Sequence, residues 1–68
     1  MPETPITYDN VEVVRGTALG KWCRIQGREV FIGSNVPLQG TTILRDGDRG
    51  RLVIPRWFAQ AEGLGEPA

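Results

Sequence analysis

The side chains with catalytic potential are few. The 68-residue chain has no histidine and one cysteine, Cys23, so the commonest general base is missing. Ser34 has no visible base partner, and the glycines do not form the phosphate-cradling GxxxxGK pattern. Asp46 and Asp48 could open a calcium loop, but the further oxygen ligands and distal glutamate of such a loop do not follow. No cluster of His, Cys, Asp or Glu has metal-ligand spacing. The inventory predicts a non-catalytic chain without cofactor or metal. What remains is recognition chemistry. Trp22 and Phe31 can stack bases, and Arg24, Arg45, Arg49 and Arg51 can contact phosphate. Stacking on an aromatic is worth about 1–3 kcal/mol per base, with salt-dependent phosphate contacts added. The first expected partner is therefore single-stranded nucleic acid. The same six residues also describe a protein-interface hot spot, so a protein partner or a second copy of the chain is the alternative.

Trp22, Arg24 and Phe31 fall in KWCRIQGREVFIG, Lys21 to Gly33, which reads as two short strands closed at Gln26 and Gly27. A two-residue turn there sets Trp22 opposite Phe31, Cys23 opposite Val30, Arg24 opposite Glu29 and Ile25 opposite Arg28. Side chains alternate faces along a strand, so Cys23, Ile25, Val30 and Ile32 form an aliphatic face. Trp22, Arg24, Glu29 and Phe31 form the other. Gln-Gly is not the Asn-Gly or Asp-Gly that a type I′ turn prefers, and a three-residue loop would instead set Arg24 against Arg28. Opposed unlike charges and paired aromatics each add about 0.2–1 kcal/mol, which favours the first register.

The remaining elements must support this hairpin. Met1 to Pro5 reads as a disordered tail, and residues 6–64 as one domain. VEVVR, Val11 to Arg15, alternates as a strand, and Arg15 to Gly20 reads as a loop. SNVPLQG, Ser34 to Gly40, is a loop carrying Pro37. Thr41 to Arg45 is a fourth strand candidate, DGDRG at Asp46 to Gly50 a turn, and Arg51 to Ile54 a fifth strand. Pro55 suits the first turn of a helix. Trp57, Phe58, Ala61 and Leu64 recur at helical spacing beyond it, and Gly63 suits a left-handed cap. So short a helix must dock to persist, with Trp57 and Phe58 as its expected anchors. It is a candidate cover for Trp22 and Phe31, which would then form a second small core. Residues 65–68 read as a tail. Five strands and a terminal helix predict an all-β fold, a small five-stranded SH3-like or OB-like barrel with a short C-terminal helix.

Nine glycines and five prolines favour short strands and turns over long helices. A chain of this length is near the lower limit for folding without metals or disulfides. No apolar run reaches the roughly 20 residues of a membrane span, and MPETPITYDN shows no signal-peptide pattern. A lone cysteine fits a reducing compartment, so a cytoplasmic location is expected. On the aliphatic face, Cys23 reads as a small buried hydrophobe. Formal net charge is zero, yet the charge is segregated. From Arg15 to Arg56 lie eight cations against Glu29, Asp46 and Asp48, a net +5, with the other carboxylates outside. Seven of the cations are arginines, the residue that forks onto phosphate and carboxylate.

VEVVR at 11–15, EVFI at 29–32 after the turn, and LVIPRWFAQAEGL at 52–64 carry a resemblance. Together they look like a group of small bacterial and phage proteins with a hairpin of the form hydrophobic-DGEEVWIP and an ending LxIPxWFAxxxGL. The similarity covers about three quarters of the chain. The chain has Gln26 and Gly33 where that group tends to have aspartate and proline. GDRGRL at 47–52 resembles the Gly-Asp-x-Gly turn before the last strand of many SH3-like barrels. These resemblances imply a small β fold and do not supply an activity. On the protein-partner reading, the chain is expected either to self-associate through barrel edges or to act as an accessory or inhibitory subunit of a larger bacterial or phage complex.

Overall fold

The computed structural model describes residues 4–67. The expected tail at 1–5 and the end of the expected tail at 65–68 include residues 1–3 and 68, which lie outside the described residues. The fold is a four-stranded antiparallel sheet followed by one short helix: β1 (Pro5–Thr17), β2 (Gly20–Ile25), β3 (Arg28–Gly33), β4 (Arg49–Pro55) and α1 (Arg56–Ala61). The strand order is β3-β2-β1-β4. The mostly β character is as expected from the sequence, but the sheet is open and does not close into a barrel.

The fourth strand expected at Thr41 to Arg45 does not form, whereas the one expected at Arg51 to Ile54 does, as β4. Residues 38–42 instead run along the outer edge of β4, held partly by side chains. Leu38 N–H donates to the Val53 carbonyl (2.7 Å), and Thr42 N–H donates to the Arg51 carbonyl (2.9 Å). The Thr41 hydroxyl accepts from Val53 N–H (3.0 Å), while the Thr42 hydroxyl accepts from Arg51 N–H (3.0 Å). Threonine hydroxyls offer strand backbone an alternative to a ladder, and here they replace one. Ile43 then turns into the core. The edge of β4 is thus satisfied without a further strand, and β3 remains the far edge of an open sheet.

β1 is longer than VEVVR alone predicts. It absorbs two irregularities, one between Tyr8 and Val11 against β4 and one between Val13 and Arg15 against β2. Asn10 takes a left-handed φ of 59° in the first, a conformation asparagine tolerates better than most residues. These β-bulges bend the strand while keeping Ile6, Tyr8, Val11 and Val13 buried. The loop expected at Arg15 to Gly20 shrinks to a tight connection at Ala18 and Leu19, because pairing continues to Thr17 opposite Gly20. Gly20 is required there: a Cβ would stand 2.2 Å from the Ile32 carbonyl oxygen.

The central hairpin has the expected register, with Trp22 opposite Phe31, Cys23 opposite Val30, Arg24 opposite Glu29 and Ile25 opposite Arg28. Gln26 (φ 54°) and Gly27 (φ 76°) are both left-handed, as a type I′ turn demands. A further reason that glutamine holds this strained position is visible. Its side chain accepts from Gly65 N–H (3.0 Å) and donates to the carbonyls of Gly65 (3.1 Å) and Glu66 (3.2 Å). The Tyr8 hydroxyl also donates to the Gly65 carbonyl (2.8 Å), and Arg28 donates to that of Gly63 (3.0 Å). The segment after α1 is therefore tied across the hairpin.

One core lies on one face of the sheet. Ile6, Tyr8, Val11, Val13, Cys23, Ile25, Val30, Ile32, Leu52 and Ile54 meet Ile43, Ala59 and Leu64 there. α1 begins after Pro55 and ends in a Schellman motif: Gly63 (φ 73°) donates to Gln60, and Leu64 N–H donates to the Ala59 carbonyl (2.9 Å). Its anchors differ from the expected pair. Ala59 and Leu64 are buried and Phe58 packs partly against the core, but Trp57 is 55% exposed. Six residues make less than two turns, so the stripe that reaches the sheet is too narrow for both adjacent aromatics.

Candidate interaction face

Because α1, Ile43 and Leu64 all gather on the aliphatic side, the opposite face of the hairpin lacks the cover that the terminal helix could have given it. Trp22 and Phe31 lie there, each partly accessible, with ring centroids 5.3 Å apart and planes inclined by 61°. Such edge-to-face pairs are worth about 0.5–1.5 kcal/mol beyond their buried area. The bulge in β1 sets Val14 and Arg15 beside Trp22, where they line a shallow groove with Glu29 and Asp46. Val14 is among the exposed large hydrophobic residues.

A charged row runs across all four strands beside these aromatics. Strand pairing aligns Glu29 with Arg24, Arg24 with Glu12, and Glu12 with Arg49. The nearest contacts are 3.6 Å from Arg24 to Glu29, 3.3 Å from Arg24 to Glu12, and 3.5 Å from Arg49 to Glu12. Signs alternate along the row. Each pair is solvent-screened and worth about 0–1 kcal/mol; the larger consequence is that Arg24 and Arg49 already have carboxylate partners. Glu12 and Glu29 thus compensate Arg24 and Arg49, and Asp46 lines the same groove as Arg15. Arg51, two residues along β4 from Arg49 and so on the same face, forms no ion pair among the described residues.

The six residues singled out from the sequence divide accordingly. Trp22, Arg24 and Phe31 are brought together on one face, and Arg49 joins them through Glu12. Arg45 is exposed in the turn before β4, and Arg51 is exposed on β4 one step beyond Gly50. Sequence reasoning missed Glu12, Val14 and Asp46. Glu12 could have been found, since it precedes Val13 in the alternation of VEVVR and so had to face away from the core. Val14 could not, because its position depends on the bulge.

The turn leading into β4 is held by two carboxylates. Asp48 accepts from the backbone N–H groups of Leu44 (2.9 Å) and Arg45 (2.8 Å). These bonds hold its pKa below the usual carboxylate value. Asp46 accepts from Gly16 N–H (2.7 Å), tying the turn to β1. Both aspartates therefore have turn roles. Among the described residues no group of three or more His, Cys, Asp or Glu could hold a metal ion. Cys23 is buried, and burial pushes its thiol pKa up, away from the thiolate that reactivity requires. No helix among the described residues is long and apolar enough to cross a membrane.

No family model, curated protein or solved structure matches this chain.

Proposed function

We propose that this chain is a non-catalytic interaction domain that engages a protein partner through the Trp22–Phe31 face. The observation that carries the reading is the charge ladder beside the aromatic pair. A phosphate-binding groove needs uncompensated cations, whereas Arg24 and Arg49 contact Glu12 and Glu29. Partly accessible aromatics bordered by balanced polar residues suit a protein interface, with an aromatic centre and a polar rim. The accessory or inhibitory role in a larger bacterial or phage complex belongs to this reading.

A photo-crosslinking residue placed at Trp22 or Phe31 should capture a partner protein in cells, and one placed at the exposed Leu19 should not. Capture from Leu19 alone would refute the reading.

The single-stranded nucleic acid reading draws on Arg45 and Arg51, which are exposed and form no ion pair among the described residues. It requires a labelled oligonucleotide to gain anisotropy at about 50 mM salt and to lose it steeply as salt rises. It also requires Arg45→Ala and Arg51→Ala to weaken that signal. No anisotropy change would eliminate it.

A further inference from the structure

The two edges of the sheet are treated differently. β4 has its outer backbone groups met by residues 38–42, whereas β3 pairs with β2 alone. In a two-residue hairpin the pair next to the turn exchanges hydrogen bonds, and such pairs then alternate along the ladder. Ile25 with Arg28, Cys23 with Val30 and Lys21 with Ile32 are the bonded pairs. The N–H and C=O groups of Glu29 and Phe31 therefore point away from β2, toward the open edge. Among the described residues no strand lies there.

We infer that a second copy of this chain pairs antiparallel along β3, with the two-fold axis at Val30, so that Glu29 of each copy lies opposite Phe31 of the other. Three registers would bring outward-facing residues together, and the residues choose among them. Centring on Glu29 sets two carboxylates face to face, which destabilises a pair. Centring on Phe31 brings Glu29 against Gly33, whose carbonyl already accepts from Val36 N–H at 3.0 Å. Only the Val30 register matches every free donor on Glu29 and Phe31 with a free acceptor. In it the Glu29 carboxylate, 3.6 Å from Arg24 of its own copy, borders the other copy's Phe31. The two aromatic faces would join into one surface. The inference rests on the edge and not on the partner reading above.

Backbone pairing over so short a strand buries well under the roughly 1,200 Å² of a standard interface, so the dissociation constant should lie near about 1 mM. Amide exchange followed by NMR and sedimentation equilibrium test it together. Between dilute protein and about 1 mM, exchange at the Glu29 and Phe31 amides should slow about twofold as mass action carries about half of the chains into the dimer. The average mass should rise in parallel. Glu29→Pro removes an N–H that the β2–β3 ladder does not use, a placement edge strands tolerate, and should return the chain to monomer. A monomer at about 1 mM, or amides at these positions whose exchange ignores concentration, would overturn the inference. So would a dimer that survives Glu29→Pro in a folded variant. If that variant does not fold, the exchange data on the native chain decide alone.

Discussion

Arg24 lies with its Nη1 3.3 Å from the Glu12 carboxylate, so an arginine from β2 is met by an acid that the sequence places in a different charge block. Glu12 falls outside the basic stretch from Arg15 to Arg56, yet antiparallel pairing of β1 with β2 and β4 inserts it between Arg24 and Arg49. Arg56 and Glu66 repeat the pattern at 2.7 Å. A charge map drawn along the chain is therefore not a charge map of the surface.

Arg24→Gln tests the weight of the ladder. Its side chain is about half exposed, so solvent screening limits the cost to about 0.2–1 kcal/mol. Denaturant unfolding should show that loss at low salt and a smaller one at about 0.5 M NaCl, where the Debye length is only a few ångströms.

Trp22→Ala and Ile25→Ala should separate recognition from stability. Ile25 is 2% exposed in the core, and its truncation should cost about 2–5 kcal/mol, enough to unfold much of so small a domain. Trp22 loses mainly its contact with Phe31, about 0.5–1.5 kcal/mol plus some buried area. A cooperative Trp22→Ala melt with partner capture abolished is the expected result; full unfolding of Trp22→Ala would place the residue in the core instead.

The hairpin and its register were legible because alternation, opposed charges and paired aromatics all agreed in thirteen consecutive residues from Lys21 to Gly33. The missing fourth strand was not. TTILR has strand-forming residues, but Thr41 and Thr42 satisfy β4 through their hydroxyls, a substitution that propensity does not register. Closure was misjudged for the same reason, since an edge covered by a loop has no need of a barrel. Likewise Trp57 and Phe58 have similar hydrophobicity, and only the short reach of α1 decides which of them packs.

Gly20→Ala and Gly27→Ala should differ in cost. At Gly27 a Cβ meets nothing within 4 Å, so only the φ of 76° is penalised, about 1–2 kcal/mol. At Gly20 a Cβ would press on the Ile32 carbonyl oxygen, and the β2–β3 ladder must shift. Thermal melts should rank Gly20→Ala as the more damaging change.

Acid and alkali should act on different ties. Asp48 has a folded pKa below its ordinary value because it accepts from Arg45 and Leu44 N–H groups. Its stabilisation is present above the unfolded value near 3.8 and is lost as pH falls through the folded value. Asp48→Asn should therefore melt earlier than the parent at pH about 7 and converge with it once the pH falls below the folded value. Tyr8 shifts the other way. Burial, then the nearby Glu66 carboxylate, raise its pKa above 10.0 despite Arg56. The protonated phenol donates to the Gly65 carbonyl, so its stabilisation is complete below pH 10.0 and is lost as pH rises through the folded value. It is the only tyrosine, which lets phenolate absorbance report it alone. Tyr8→Phe should cost about 1 kcal/mol at neutral pH and lack the alkaline loss. An ordinary Tyr8 titration, with equal alkaline sensitivity in both proteins, would show that the tie between β1 and the segment after α1 does not form.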